Sequence, residues 1–330
     1  MRLGIPVVNR DLTVWANNMR KWLGSAWMRL PFQESGSAAT ENGSLMWDAE
    51  NGYPVVSKDG VFVPLILEDS PLDFGVKIAE LEILNTYGDT VSVTAKRKTL
   101  LKFGRRDDLG TSSATVWQTN GNETYVGTNI IDTISASDVT DTEVISIEGH
   151  TVTGTGTSQQ FTFTSQTATL NGQNKVVLTT PLARVSRASN TGSSDVIGDV
   201  YVYEDTAISG GVPTDLTKAH IKINAGEAQS YKAATTFSNT DYFICTGGFA
   251  AVDKKTSATV DFEMQVRNVG GVFRPVSRIA LDSSAQTTQQ IQFYPYVIIP
   301  KNADIRIVAV SSSSNTEVSA SFQGFLAAVQ

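Results

Sequence analysis

Apolar and polar residues alternate in many short segments along most of the chain, which is the period of a β-strand with one buried face. The clearest segment is 259–267, where Val260, Phe262 and Met264 fall on one side. Such segments recur without intervening helices and without a fixed-period repeat. We therefore predict a mainly β protein built from antiparallel β-sandwich or jelly-roll-like domains. The strands predicted beyond residue 75 cover 76–84, 90–95, 143–147, 160–163, 175–179, 199–203, 220–223, 242–246, 259–267, 272–279, 289–293, 304–310 and 318–327.

Residues 10–30 depart from this pattern, because their apolar residues recur every three or four positions and so line one side of a helix. This docking stripe comprises Leu12, Trp15, Met19, Trp22 and Ala26, and it is flanked by Trp27. A single helix cannot bury such an aromatic face by itself. We predict that this N-terminal amphipathic helix packs on its own body, on copies of itself or on another protein.

A small β-meander is predicted after the helix. Pro31 ends the helical pattern, and residues 33–44 are small and polar, which is typical of a linker or an extended arm. Strands are then expected at 45–47, 53–57 and 61–67, separated by turns at Asn51-Gly52 and Asp59-Gly60. The predicted domains are a docking helix (1–32), a linker and meander (33–70), a first β domain or connecting β region (71–140) and a sandwich body (141–330) of one or two subdomains.

Composition narrows the function. The 330 residues carry a net charge of −7, which disfavours a general grip on nucleic-acid phosphates. No stretch has the roughly 18 apolar residues of a membrane span or the apolar core of a signal peptide, so we expect neither a membrane partner nor cleaved secretion. Cys245 is the single cysteine and has apolar neighbours, so we expect a buried thiol and no intramolecular disulfide.

Groups suited to catalysis are few. His150 and His220 lie in predicted strands without metal-ligand spacing or a nucleophile motif. Paired carboxylates for a glycosidase exist (Asp107, Asp108, Asp261, Glu263), as do oxygen ligands for calcium (Asp132, Asp138, Asp141, Glu143), but without a defining pattern. We therefore expect a protein that is not an enzyme and that uses no cofactor or metal.

The densest charge feature is a basic cluster, which comprises Lys96, Arg97, Lys98, Lys102, Arg105 and Arg106. Lysine on an exposed edge strand discourages uncontrolled strand pairing, and this is the favoured interpretation. The alternative interpretation is a contact with an acidic partner protein.

Residues 43–65 resemble a short module of phage fibre and tail proteins, in which a glycine, apolar and aromatic residues and an aspartate precede a hairpin that ends in a glycine and an aromatic residue. Trp47, Asp48, Gly60 and Phe62 occupy matching positions of this attachment module. The similarity covers about 23 residues.

The body resembles a family of virion proteins of tailed marine and environmental phages. The segments that carry this resemblance are Lys98–Arg105, Trp117-Gln118, Glu123–Val126, Ile147–His150, Pro181–Arg184, Val200–Asp205, Ile299–Asp304 and Ser321–Leu326. The family is known only as structural, so the resemblance implies a class of protein and no catalytic residue.

The function that we predict is a non-enzymatic structural component of a phage particle, anchored by its N-terminal segment as a tail or fibre adaptor. A head decoration or cement protein is one alternative. A receptor-binding, lectin-like tail protein is another, with loops 154–158, 189–194 and 311–315 on a host surface glycan. The expected partners are copies of the chain, as a trimer or a higher oligomer, and other virion proteins. The expected location is the virion, assembled in the host cytoplasm.

Overall fold

The computed structural model describes residues 32–33, 45–48, 53–58, 61–64, 98–119, 121–253 and 258–328. The chain divides into two units, Met1–Gly75 and Val76–Gln330. The helix predicted at 10–30 and the strands predicted at 76–84 and 90–95 lie outside the described residues. Each unit is described by itself.

The first unit contains a four-stranded sheet. Its strands are β1 (Phe32–Gln33), β2 (Leu45–Asp48), β3 (Tyr53–Lys58) and β4 (Val61–Pro64), in the order β1-β2-β3-β4. β2, β3 and β4 pair antiparallel, with Leu45 opposite Val56 and Val56 opposite Val63. β1 joins parallel to β2. The predicted β-meander is therefore present, extended by one short parallel strand.

The second unit is antiparallel β throughout its described part, with two short 3-10 turns, Gly156–Ser158 and Leu216–Lys218. Its strands are β5 (Lys98–Leu109), β6 (Ala114–Thr115), β7 (Ile131–Ala136), β8 (Val144–Thr153), β9 (Gln160–Thr169), β10 (Val176–Leu182), β11 (Arg184–Asn190), β12 (Val200–Glu204), β13 (Ile208–Ser209), β14 (Val212–Pro213), β15 (Ala219–Ile223), β16 (Ala234–Thr236), β17 (Asp241–Val252), β18 (Thr259–Arg267), β19 (Arg274–Asp282), β20 (Thr288–Ile299), β21 (Asp304–Ser311) and β22 (Thr316–Ala328). None of the helices in this described part is long and apolar enough to cross a bilayer.

Strands at the two ends of this unit form an outer sandwich. One sheet has the order β20-β17-β22-β5, and the other has the order β16-β21-β18-β19, with β6 also pairing with β21. With β6 and β16 taken as two halves of one strand, the chain passes between the sheets in the eight-strand order of a jelly roll. The mainly β, jelly-roll-like prediction is confirmed.

A second sandwich is inserted between β6 and β16. Its sheets have the orders β10-β7-β12-β15 and β11-β8-β9, and a small hairpin, β13-β14, accompanies them. One core fills the space between these sheets, and it includes Ile134 and Ile145 on either side of the boundary predicted near residue 140. The second unit is thus a jelly-roll sandwich with a second sandwich inserted in its chain between β6 and β16.

The core of the outer sandwich follows the alternation of its strands. Val260, Phe262 and Met264 of β18 are buried together with Phe243 and Phe322 from the facing sheet. Aromatic side chains each remove roughly 150 to 250 Å² from water on burial, so they dominate such a core. The alternating pattern therefore places the apolar face of β18 as predicted.

Gly104 of β5 sits where the chain enters and leaves the inserted sandwich. A Cβ atom at Gly104 would lie 2.2 Å from the Val116 carbonyl oxygen and 2.4 Å from the Ala233 nitrogen. Only glycine permits this close approach of backbone to backbone. The two chain segments that lead into and out of the inserted sandwich therefore pack directly against β5 of the outer sandwich.

Candidate functional site

The two sandwiches of the second unit meet at a buried junction, where the entering and leaving chains run side by side. The Ala233 N–H donates to the Val116 carbonyl at 3.0 Å, and Trp117 pairs with Lys232 in an isolated bridge. The Lys232 ammonium lies 5.2 Å from the centre of the Trp117 ring. The two segments that connect the inserted sandwich to the outer one are thus paired with each other.

A buried ion pair between Lys232 and Glu123 lies at this junction. Lys232 donates from Nζ to Glu123 Oε1, to the Val185 carbonyl at 2.7 Å and to the His220 carbonyl at 3.1 Å. An ammonium has three donors, and all three are used here. Burial lowers the pKa of Lys232, while Glu123 opposes that shift by favouring the charged form. This lysine binds the leaving chain to two strands of the inserted sandwich.

A second charged group joins the same two bodies around Asp304, the first residue of β21. Arg184 of β11 donates from Nε to Asp304 Oδ1 at 3.1 Å, and Arg267 of β18 donates from Nε to Asp304 Oδ2 at 3.1 Å. Thr236 Oγ1 also donates to this carboxylate, at 2.5 Å. Burial favours the neutral acid, but Arg184 and Arg267 outweigh it and hold the pKa of Asp304 below its usual value.

Aromatic rings cover the guanidinium groups of this cluster. Arg184 lies 5.0 Å from the ring centre of Tyr125 and 4.8 Å from that of Phe161. Arg267 lies 4.3 Å from Tyr125 and 4.7 Å from Phe273. Planar cations favour such ring faces, and the rings exclude water from the ion pairs.

β11 is the strand of the inserted sandwich that carries the junction. It contributes the Arg184 side chain. Its Val185 carbonyl accepts a hydrogen bond from Lys232, and its Ser186 carbonyl accepts one from Lys102 at 2.8 Å. Lys102 comes from β5 of the outer sandwich, and burial lowers its pKa to about 7. Three buried cations therefore converge on the start of β11, from both sandwiches and from the connecting chain.

The basic cluster of the sequence is divided by this arrangement. Lys102 and Arg106 are buried, and Arg106 donates to the Thr119 and Gly121 carbonyls at 3.1 and 3.2 Å. Arg105 pairs with Asp107 at 2.8 Å and with Glu317. Lys98 is exposed on β5, which is an edge strand of its sheet. Lys96 and Arg97 lie outside the described residues.

The two N-terminal candidate sites belong to the first unit. Trp47 and Asp48 of the attachment module lie in β2, and Phe62 lies in β4. Gly60 and all six residues of the docking stripe and its flank (Leu12, Trp15, Met19, Trp22, Ala26, Trp27) lie outside the described residues.

The groups considered for catalysis occupy buried or paired positions. Cys245 is buried, as expected, and burial raises the pKa of its thiol to about 12. His220 Nε2 lies 3.0 Å from Glu204 Oε1. His150 is buried in β8, its Nδ1 has no hydrogen-bond partner, and burial lowers its pKa to about 3. A thiol that stays protonated is a poor nucleophile, and an imidazole with a pKa of about 3 is a weak base.

The acidic candidates serve local structure. Asp261 pairs with Arg278 at 2.7 Å. Asp141 accepts the Ile197 and Gly198 N–H groups at 2.8 and 2.9 Å and so fixes the loop before β12. In the described ranges, no group of three or more acidic, histidine or cysteine side chains is placed to hold a metal ion.

Apart from Lys102 of the basic cluster, sequence reasoning did not single out the charged residues of the junction. Arg184, Asp304 and Glu123 lie within the segments quoted for the resemblance to virion proteins, namely Pro181–Arg184, Ile299–Asp304 and Glu123–Val126. No spacing or motif in the sequence links Arg184 with Asp304, so no local signal identifies them as a pair.

Comparison with known proteins gives little beyond this geometry. No family model matches the chain, and no curated protein matches its sequence. Among solved structures, the chain is similar to VP2 of infectious bursal disease virus in a subviral particle, at 11% identity over 76% of this chain and 78% of that chain, with a TM-score of 0.20. A structure of the Gx strain of that virus gives 12% identity, the same coverage and a TM-score of 0.21. Likeness at this level assigns no function to the chain.

Proposed function

We propose that the chain is a non-enzymatic structural component of a tailed-phage particle, oligomeric and anchored by its N-terminal segment, acting as a tail or fibre adaptor. The observation that carries this proposal is the buried junction, which fixes an inserted sandwich on a jelly roll. A rigid two-sandwich body is suited to present surfaces to neighbouring subunits at a constant angle. Jelly rolls are frequent in viral capsid proteins, although a fold alone does not define a function.

The sequence supports the same proposal from a different direction. The body segments that resemble phage virion proteins include three junction residues, Glu123, Arg184 and Asp304. The N-terminal docking stripe and its flank carry three tryptophans, and burying them in an assembly would remove several hundred Å² from water, at roughly 150 to 250 Å² each. A chain that presents such a stripe gains most when copies or neighbours cover it.

Anchoring is tested by the incorporation of variants into particles in a phage that lacks the wild-type gene. Replacing Trp15 and Trp22 by Gln in the full chain is expected to abolish incorporation while the second unit stays folded, because the apolar stripe is lost. The matched control replaces Asn17 and Lys21 by Ala, on the polar side of the predicted helix, and is expected to incorporate normally. Normal incorporation of the tryptophan variant would refute the anchoring role.

Head decoration is the second candidate, because an anchoring arm followed by plain sandwiches would suit a shell as well as a tail. Copy number in purified particles separates the two. A number that matches the ring symmetry of a tail supports the adaptor, whereas a number that matches the lattice of the shell supports decoration.

A further inference from the structure

A cleft of about 300 Å³ lies beside the junction, between the two sandwiches. We call it the inter-sandwich cleft. Its lining comes from both bodies and includes Lys98, Lys102 and Asp241 of the outer sandwich and Glu148, His150 and Phe163 of the inserted one. A cavity of this size is at the lower end of small-molecule sites.

Three polar groups of the cleft, Lys98, Lys102 and His150, have fewer partners than the charged groups of the junction. Among the described residues, Lys98 and Lys102 form no ion pair, in contrast to Lys232. His150 is 3% exposed, lines the cleft and has no hydrogen-bond partner at Nδ1. A buried polar atom without a partner lowers the stability of the fold. A ligand that supplied the partner would restore that stability.

The apolar part of the cleft includes an exposed aromatic ring. Phe163 of β9 is 45% exposed, the His150 ring meets it edge-on at 5.6 Å, and the Lys98 ammonium lies 5.3 Å from its centre. A large hydrophobic residue held at such an opening by two polar neighbours provides a flat apolar contact next to hydrogen-bonding groups.

The charges in the cleft favour a neutral ligand over an anion. Two lysines are balanced by two carboxylates, Glu148 and Asp241, which would repel a phosphate or a carboxylate. Burial also lowers the pKa of Lys102 to about 7, so its positive charge is partial at neutral pH. Lysine donors and acceptors (carboxylates and a neutral imidazole) therefore lie side by side.

We propose that the inter-sandwich cleft binds a neutral mono- or disaccharide, with Phe163 against a C–H face of the sugar ring and Lys98, Glu148 and His150 on its hydroxyl groups. Each sugar hydroxyl both donates and accepts, which matches the mixed lining of the cleft. Sugar rings also have apolar faces that pack on aromatic side chains. This inference is independent of the proposed virion role, because it rests on the lining of the cleft alone.

The test is saturation-transfer NMR on the full chain with glucose, galactose, N-acetylglucosamine and lactose, each at millimolar concentration, with inorganic phosphate and acetate as competitors. At least one sugar is expected to give a saturable signal that neither anion displaces. Phe163→Ala is expected to weaken binding about two- to tenfold, the usual range for an aromatic contact. Lys98→Ala, at an exposed position, is expected to weaken it as well.

Matched controls use exposed residues that do not line the cleft. Tyr294→Ala removes a ring that is 95% exposed, and Lys175→Ala removes a surface lysine. Both are expected to bind as the wild type does. The proposal is overturned if none of the four sugars binds, if phosphate or acetate binds in their place, or if Phe163→Ala and Lys98→Ala bind as tightly as the controls.

Discussion

The junction and the inter-sandwich cleft are adjacent and use the same residue types, yet they treat charge differently. In the junction, Lys232 and Arg184 each face a carboxylate and also donate to backbone carbonyls. In the cleft, Lys102 has a single carbonyl partner and His150 Nδ1 has none. A buried charge is tolerated when it is paired, and an unpaired one has a shifted pKa. The charged groups of the junction are therefore paired, whereas the polar groups of the cleft have fewer partners within the protein.

The largest effect is expected from replacing Lys232 by methionine, with Lys102→Met as the matched comparison from the cleft. Lys232→Met leaves the Glu123 carboxylate buried without its cation, so the free energy of unfolding should fall by about 3 to 5 kcal/mol. Lys102→Met removes an ammonium that burial already disfavours, so the free energy of unfolding should rise or change by less than about 1 kcal/mol. Urea denaturation at pH 7 measures both values. Equal losses in the two variants would mean that the lysines of the junction and the cleft have the same role.

A smaller loss is expected at Asp304, because two arginines share it. Arg184→Met removes hydrogen bonds to this carboxylate, but Arg267 and Thr236 remain. Losing a hydrogen bond to a charged group costs about 1.5 to 3 kcal/mol, and thermal denaturation should show a loss of that size.

The matched control for that loss is Arg278→Met. Arg278 pairs with Asp261 on the surface, where solvent screens the ion pair, so the loss of stability should be smaller than that of Arg184→Met. If the two arginine variants are equally stable, burial at the junction adds nothing to the ion pair.

How far the sequence predicts this molecule depends on how each strand is buried. β18 occupies the predicted residues, Thr259–Arg267, because one face is buried and the alternation is clean. β7 was missed because almost all of Ile131–Ala136 is buried, polar residues included, so no alternation remains. β11 was missed because Arg184 and Ser186 look like surface residues, although both are buried at the junction.

The candidate sites were less predictable than the fold, for a physical reason. Arg184 and Asp304 are 120 residues apart in the chain and meet only after two sandwiches have formed. No periodicity in the sequence links the two residues. The cleft is harder still, since Lys98 and Phe163 come from different sandwiches. A local sequence pattern predicts a single strand, whereas both sites depend on how the two sandwiches pack against each other.

The smallest effect is expected from pH, and it concerns the cleft alone. As the pH falls from the usual imidazole pKa of 6.5 towards about 3, the unfolded chain binds a proton at His150 that the folded chain does not. The unfolded state is therefore favoured, and His150 should lower the free energy of unfolding by up to about 1.4 kcal/mol per pH unit within this window. His150→Gln keeps a polar group but cannot titrate. Urea denaturation between pH 7 and 5 should show the wild type losing stability relative to this variant as the pH falls. Parallel curves would show that the imidazole is paired or solvated, and the contrast between an unpaired cleft and a paired junction would then fail at its central residue.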